Sequence, residues 1–202
     1  MGNTEETRAT GVVLAAGAGT RLGRGPKALL PYRGRPLVES VAGALLDGGC
    51  REVVVVLGAS APDVATIAEL DRYRTVVNHA WQSGMGSSLL LGNGAAGAGD
   101  HLMVALVDQP GLTPGTVGRL LAAHRPGRIT AASYDGGNGT ARRGHPLIID
   151  AALRDAVAAT VTGDAGARGF LRAHPELVDE VDCSDLSTGL DVDTPEQLYL
   201  LG

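Results

Sequence analysis

The chemistry-bearing residues of this chain are concentrated first in one glycine-rich stretch. From Gly17 to Lys27 the chain reads Gly-Ala-Gly-Thr-Arg-Leu-Gly-Arg-Gly-Pro-Lys: four glycines, a proline, three cations (Arg21, Arg24, Lys27) and no acid before Leu30. The whole chain carries a net charge of −5, so positive charge is gathered here against the overall balance. Backbone N–H groups in such a loop can turn inward around an anion, and a polyphosphate is the economical ligand. The spacing is neither G-x-G-x-x-G nor G-x-x-x-x-G-K-[ST], so the usual dinucleotide fingerprint and the P-loop both fail as written. A plain loop with solvated charges is the bland alternative; the buried run just before it argues for a ligand.

Acids supply the second half of the chemistry. Asp108 closes an apolar run, where a bare buried carboxylate would be costly. It suits a hard cation such as Mg2+ on a polyphosphate, which needs one or two carboxylates beside phosphate oxygens and water. A turn or capping aspartate before Thr113–Pro114 is the competing reading. Asp191 and Asp193 follow near the C-terminus at period two, hence on one face of an extended segment. Asp193 or Thr194 before Pro195 is also a good helix start, so the pair reads as one metal ligand and one cap. Gly84, Gly86, Ser87 and Ser88 open a helix after Trp81 and can meet a base or phosphate there, although a capping turn explains them equally. His145, in Arg143-Gly-His-Pro146, is a candidate substrate contact or a loop histidine.

Several chemistries are excluded. The five histidines (79, 101, 124, 145 and 174) are scattered, so no imidazole metal cluster is expected. Cys50 and Cys183 have no C-x-x-C spacing and no visible activating partner. No G-x-S-x-G elbow is present, which disfavours acyl transfer. Six aromatics (Phe 1, Tyr 4, Trp 1) and an acidic balance argue against nucleic acid as a partner. No apolar run reaches the roughly 18–20 residues of a membrane span.

These residues need a scaffold. With 202 residues and 44% apolar content, the chain suits a globular fold able to bury a core without disulfides. Runs at 11–16, 52–57, 74–77 and 101–107 read as strands buried on both faces. Helical patterns at 36–46, 62–71, 87–96 and 114–124 lie between them, three beginning near a proline. That alternation predicts an α/β fold: a Rossmann-like, three-layer, mostly parallel sheet with helices on both faces. Beyond 129–133 the rhythm breaks into a polar glycine-rich stretch (135–144), a short strand (146–149), helices (150–161, 165–173), a strand (177–181) and a terminal helix (195–201). This half is expected to add antiparallel edge strands and a lid. Residues 1–10, polar and mixed in charge, read as a frayed tail rather than a secretion signal, with one domain over 11–202 and a cytoplasmic location. The candidate residues fall at strand carboxyl ends, where ligands bind parallel sheets.

With these motifs in hand, the chain resembles the nucleotidyltransferases that activate sugars and cofactors, and most of all the branch that attaches a nucleotide to molybdopterin. The resemblance rests on Leu14-Ala-Ala-Gly-Ala-Gly-Thr-Arg-Leu-Gly23 with Lys27 and Leu29-Leu-Pro31. It continues through Gly84–Ser88, Asp108-Gln-Pro110, Gly144-His-Pro146, Gly163–Arg168 and Asp191–Pro195, six motifs in order. It implies that Leu14, Ala15, Ala16, Gly17, Gly19, Thr20, Arg21 and Lys27, with Gly84, Met85, Gly86, Ser87 and Ser88, hold the nucleotide. Asp108 and Asp193 would hold Mg2+; Gly144, His145, Pro146, Asp164 and Arg168 would face a pterin-type acceptor. Arg21, Lys27 and Asp108 would carry catalysis as the acceptor phosphate attacks the α-phosphorus and pyrophosphate leaves, mainly by positioning and charge neutralisation. Ala16, where the guanylyl form usually has glycine, leans toward CTP as the nucleoside triphosphate. The implied partners are a molybdoenzyme or its chaperone. The loop at 24–26 departs from the commonest form, and the 135–143 stretch is not diagnostic. One rival on the same fold is an NAD(P)H-dependent reductase of the nicotine blue oxidoreductase type, which needs no metal-ligating acids. Another is a chaperone that carries a pterin cofactor without turnover.

Overall fold

The computed structural model describes residues 7–137 and 139–202. Its elements are β1 (Ala9–Ala15), a small hairpin β2 (Pro31–Tyr32) and β3 (Arg35–Pro36), α1 (Leu37–Asp47), β4 (Glu52–Leu57), α2 (Ala61–Ile67), β5 (Arg74–Val77), α3 (Met85–Ala95) and β6 (His101–Leu106). They continue with α4 (Pro114–Ala123), β7 (Ile129–Asp135), β8 (Ala141–Ile149), α5 (Arg154–Ala158), α6 (Arg168–Ala173) and β9 (Val178–Asp182). Seven strands form one sheet in the order β5-β4-β1-β6-β8-β7-β9. The first four are parallel, β8 runs antiparallel to β6 and β7, and β9 is parallel to β7.

The strand pattern determines the layering. In β1, Val13 and Ala15 face a core shared with Leu37, Val41 and Leu45 of α1, Val64 of α2 and Leu120 of α4. Val12 and Leu14 face the opposite core with Leu89 of α3, Val157 of α5 and Phe170 of α6. Alternating residues on a strand point to opposite faces, so a continuously apolar strand feeds both cores. The result is the three-layer α/β nucleotidyltransferase fold expected. Close approach is required on one face: a Cβ on Gly92 of α3 would lie 2.5 Å from Val12 Cγ1.

Four details differ from the expectation. The tail reading fails at Ala9 and Thr10, which are fully buried in β1; its residues 1–6 lie outside the described residues. β5 is an edge strand with exposed positions, because no strand among the described residues pairs beyond it. Half of the stretch at 135–144 is strand, Asp135 ending β7 and 141–144 opening β8, and the resulting nine-residue β8 lies inside the sheet between β6 and β7 rather than at an edge. Its polar first half pairs with β7 alone while Leu147–Ile149 are buried against both neighbours. Finally, the helix expected over 150–161 is a short 3-10 turn (Ala151–Leu153) followed by the five-residue α5, and the terminal helix at 195–201 is 3-10.

Candidate active site

After β1 the chain goes outward to β4, then crosses to β6 on β1's other side. Strand order therefore reverses between β1 and β6, and a crevice opens at their carboxyl ends. A cleft of about 590 Å3 lies there, lined from one side by Leu14, Ala16, Gly17, Gly19, Arg21 and Lys27. Its other walls come from Gly84, Met85 and Ser88, from Asp108, from Asp164 and Arg168, and from Asp191 and Asp193.

The glycine loop is folded back on itself. Leu22 is buried and pins it to the core, while Leu22 N–H donates to Gly19 O at 3.1 Å. Gly19 has φ +64°, and a Cβ there would come within 2.3 Å of Gly25 O; only glycine allows the two strands of the loop to meet. That closure delivers Lys27, at the start of a short 3-10 turn, into the cleft.

Lys27 Nζ donates to Asp108 Oδ2 at 2.9 Å and also to Asp193 Oδ1. Burial alone would lower the lysine pKa, but the two carboxylates outweigh it and hold it above the ordinary lysine value. Asp108 is placed by the end of β6, and its carbonyl accepts from Val192 N–H at 2.8 Å. The fully buried Val192 side chain anchors this segment, so Asp191 and Asp193 flank it on the cleft side. Thr194, not Asp193, provides the capping box of the terminal 3-10 turn, which leaves the Asp193 carboxylate to face Lys27 and the cleft. Asp108 Oδ1 is buried with no hydrogen-bond partner among the described residues. An acceptor-only donor set with a spare buried oxygen fits a hard divalent cation. Asp191 Oδ1 accepts from Gln109 Nε2 at 2.7 Å; burial lifts its pKa, with Asp108 and Asp193 adding to the shift.

At the start of α3 the arrangement is more self-contained than the sequence suggests. Gly84 has φ +109°, and a Cβ on it would meet Gly163 C at 2.5 Å and Asp164 Oδ1 at 2.7 Å. Asp164 Oδ1 accepts from Met85 N–H at 3.2 Å, so the helix N-terminus is partly satisfied from within the chain. The hydroxyls of Ser87 and Ser88 accept from Asn78 Nδ2 at 2.8 and 2.9 Å. Gly86 packs against Val161 and Gly163 instead of lining the cleft. Ala15, Thr20 and Ser87 are likewise not among the cleft-lining residues.

Gly144 and His145 line an adjoining pocket of about 370 Å3 that shares Leu106, Arg168 and Asp191 with the cleft. Pro146 is buried behind it. The Tyr134 hydroxyl donates to His145 O at 2.6 Å. Its ring leaves no space for a Cβ at Gly189, which would fall 2.2 Å away. Burial, with the nearby Arg168 charge, pushes the His145 pKa down to about 4, so the imidazole is neutral at pH 7. Arg142, Arg143 and Arg172 join Arg168 around this pocket, making it strongly cationic. Sequence reasoning missed Arg172, although its spacing of four from Arg168 places both on one helix face. It also missed Trp81 and Gln82 as cleft walls; their place just before the Gly84 turn was the available signal.

Set against known proteins, residues 11–178 match the model of the MobA-like NTP transferase domain. The chain is 64% identical over 203 residues, covering all of both chains, to the protein named Nicotine blue oxidoreductase from Paenarthrobacter nicotinovorans. It is 32% identical to Molybdenum cofactor guanylyltransferase from Xanthomonas euvesicatoria pv. vesicatoria, covering 93% of this chain and 91% of that one. Among solved structures it is similar to Rv0371C of Mycobacterium tuberculosis H37Rv in complex with manganese, with 27% identity, a TM-score of 0.79, and coverage of 96% of this chain and 98% of that one. This chain belongs to the MobA-like NTP transferase domain family.

Proposed function

We propose that this chain is an NAD(P)H-dependent reductase built on the nucleotidyltransferase fold, with an acceptor of the nicotine blue type. The end-to-end 64% identity with Nicotine blue oxidoreductase carries the reading; it is twice the identity with the guanylyltransferase. Reduced nicotinamide supplies a hydride, so that NAD(P)H, a proton and the oxidised acceptor give NAD(P)+ and the reduced acceptor. In this chain the Gly17–Gly19 backbone and Arg21 bind the pyrophosphate of the dinucleotide by the same electrostatics that would suit a triphosphate. Lys27, locked between Asp108 and Asp193, fixes the base of the loop and contributes positive potential beside it. The acceptor lies in the adjoining pocket, where Arg168 and Arg172 attract anionic oxygens and neutral His145 offers a hydrogen bond.

A second reading, Mg2+-dependent nucleotidyl transfer from CTP or GTP to a pterin-type acceptor, is favoured by one observation: the buried Asp108 Oδ1, which has no hydrogen-bond partner among the described residues. In that case Asp108 and Asp193 would hold the ion, which would supply neutralisation of the triphosphate charge, and Arg21 and Lys27 would add positive charge beside the phosphates. The Ala16 position leans toward CTP.

One comparison separates the two. Purified protein is given NADPH or NADH with nicotine blue, with and without EDTA. In parallel, pyrophosphate release is followed from CTP and GTP with molybdopterin and Mg2+. Oxidation of the nicotinamide that survives EDTA is the expected result. No oxidation, together with Mg2+-dependent pyrophosphate release, would replace the reductase by the transferase.

A further inference from the structure

At the opposite pole of the sheet, two histidines and an aspartate meet. His101 opens β6, Asp150 directly follows the antiparallel β8, and His124 follows α4. One donor atom from each lies within 4.8 Å of the others. At about 3.3 Å of rise per residue this pole is roughly 20 Å from Asp108 along β6, well away from the cleft.

The donor atoms are individually prepared. His124 Nδ1 is hydrogen-bonded to Thr130 Oγ1 at 2.8 Å, an orienting contact of the kind that fixes metal-ligating imidazoles. Its other nitrogen, Nε2, is buried with no hydrogen-bond partner among the described residues, on a side chain only 2% exposed. That nitrogen lies 3.4 Å from Asp150 Oδ2, and His101 Nδ1 lies 3.4 Å from the same oxygen. Asp150 Oδ1 accepts from Ala152 N–H at 2.8 Å, which fixes the carboxylate and leaves Oδ2 for the centre. His101 Nδ1 accepts from Ala151 N–H at 3.0 Å, so this nitrogen carries a lone pair rather than a proton; a bound ion takes that lone pair in place of the amide.

Plain packing explains the edge-on contact of the two rings at 4.6 Å but leaves buried His124 Nε2 with only a long 3.4 Å approach to Asp150 Oδ2. A metal explains both. Donors around a tetrahedral ion with bonds of about 2.0–2.1 Å stand roughly 3.3–3.4 Å apart, which is the spacing of both imidazole nitrogens from Asp150 Oδ2. The third edge, between the two imidazole nitrogens, lies within 4.8 Å, so a shift of at most about 1.5 Å in one imidazole brings it to the same length.

We propose that His101, His124 and Asp150 form a structural site for one late first-row divalent metal of the Zn2+ class, tying the α4–β7 connection to the start of β6 and the end of β8. Two imidazoles and one carboxylate suit this class better than Mg2+ or Ca2+, which prefer all-oxygen shells. A water completes the fourth position. The site goes beyond the proposed activity and does not depend on it.

The test uses the tag-free, full-length protein after chelation. Titration with Co2+, as an optical probe, is expected to give ligand-field absorption that saturates at about one equivalent. Zn2+ at a hundredfold excess over its Kd is expected to raise Tm by about 5–10 °C. Both signals should vanish in His101→Ala and in His124→Gln, and persist in Asp108→Asn, which removes a carboxylate of the cleft. His101 is the more exposed of the two histidines, so circular dichroism of His101→Ala keeps the test valid even where the His124 variant fails to fold. Absence of both signals in the wild type, or their survival in folded His101→Ala, overturns the assignment.

Discussion

Lys27 is the residue on which the cleft turns, because one ammonium satisfies two carboxylates that would otherwise repel across it. Replacing it with alanine leaves Asp108, whose side chain is only 20% exposed, without its counter-charge. We expect a loss of about 1–3 kcal/mol in urea denaturation at pH 7 and at least about a hundredfold loss of activity. The same contact has a pH signature. Because the folded pKa is raised, its stabilisation is complete below the ordinary lysine value and is lost as pH rises through the higher folded value. The wild type should therefore lose more stability at strongly alkaline pH than Lys27→Met does. His145 works in the opposite sense. Its folded pKa of about 4 lies below the ordinary value near 6.5, so stability is present above pH 6.5 and falls as pH drops toward 4. The fall is about 2–3 kcal/mol, and His145→Gln should flatten that part of the curve. Since Arg168 contributes to the depression, Arg168→Ala should raise the His145 pKa in an NMR titration; an unchanged value would mean that the two do not face each other in solution.

At the scale of elements, the start of α3 shows how a helix end is held by a distant loop. Met85 N–H is capped by Asp164, and Gly84 lets the 163–164 backbone approach at a φ of +109° that side chains rarely adopt. The two contributions differ in size. Asp164→Ala removes one exposed cap and should cost about 1 kcal/mol. Gly84→Ala must both strain the backbone and push Gly163 and Asp164 away, for about 2–4 kcal/mol. Thermal or denaturant unfolding of the two variants ranks them; equal costs would mean the loop yields freely. Because the same turn forms a wall of the cleft, Gly84→Ala should also raise KM more than Asp164→Ala does.

For the whole molecule, the decisive feature is where β8 sits. It joins the parallel part of the sheet to β7 and β9, so its buried side chains contact the core rather than solvent. Ile148→Ala should cost about 2–5 kcal/mol. Val178→Ala on the partly exposed edge strand β9 should cost about 1 kcal/mol. A comparable cost at both positions would contradict the interior placement of β8. The same order brings β1 and β6 side by side, and with them the glycine loop and Asp108, residues separated by 81 positions yet joined by a 2.9 Å ion pair.

The sequence by itself determined the α/β class, the glycine loop and its charge, and the acids that close it. Those depend on local patterns: continuous β-branched runs, glycine where backbones must meet, and charges that have no other reason to gather. Even here the short β-hairpin and the polar first half of β8, beyond the strand expected at 146–149, were hidden, because polar residues such as Arg142 and Arg143 can pair in a strand without an apolar alternation to reveal it. Only the tertiary structure decided which donors stand together. It gave Asp164 to a helix end, made Thr194 the cap and so released Asp193, and gathered four arginines around His145. Above all, it brought His101, His124 and Asp150, which look scattered along the chain, to one pole of the sheet. Their meeting depends on strand order and direction, since an antiparallel β8 returns its end to the start of β6, and no local spacing records that.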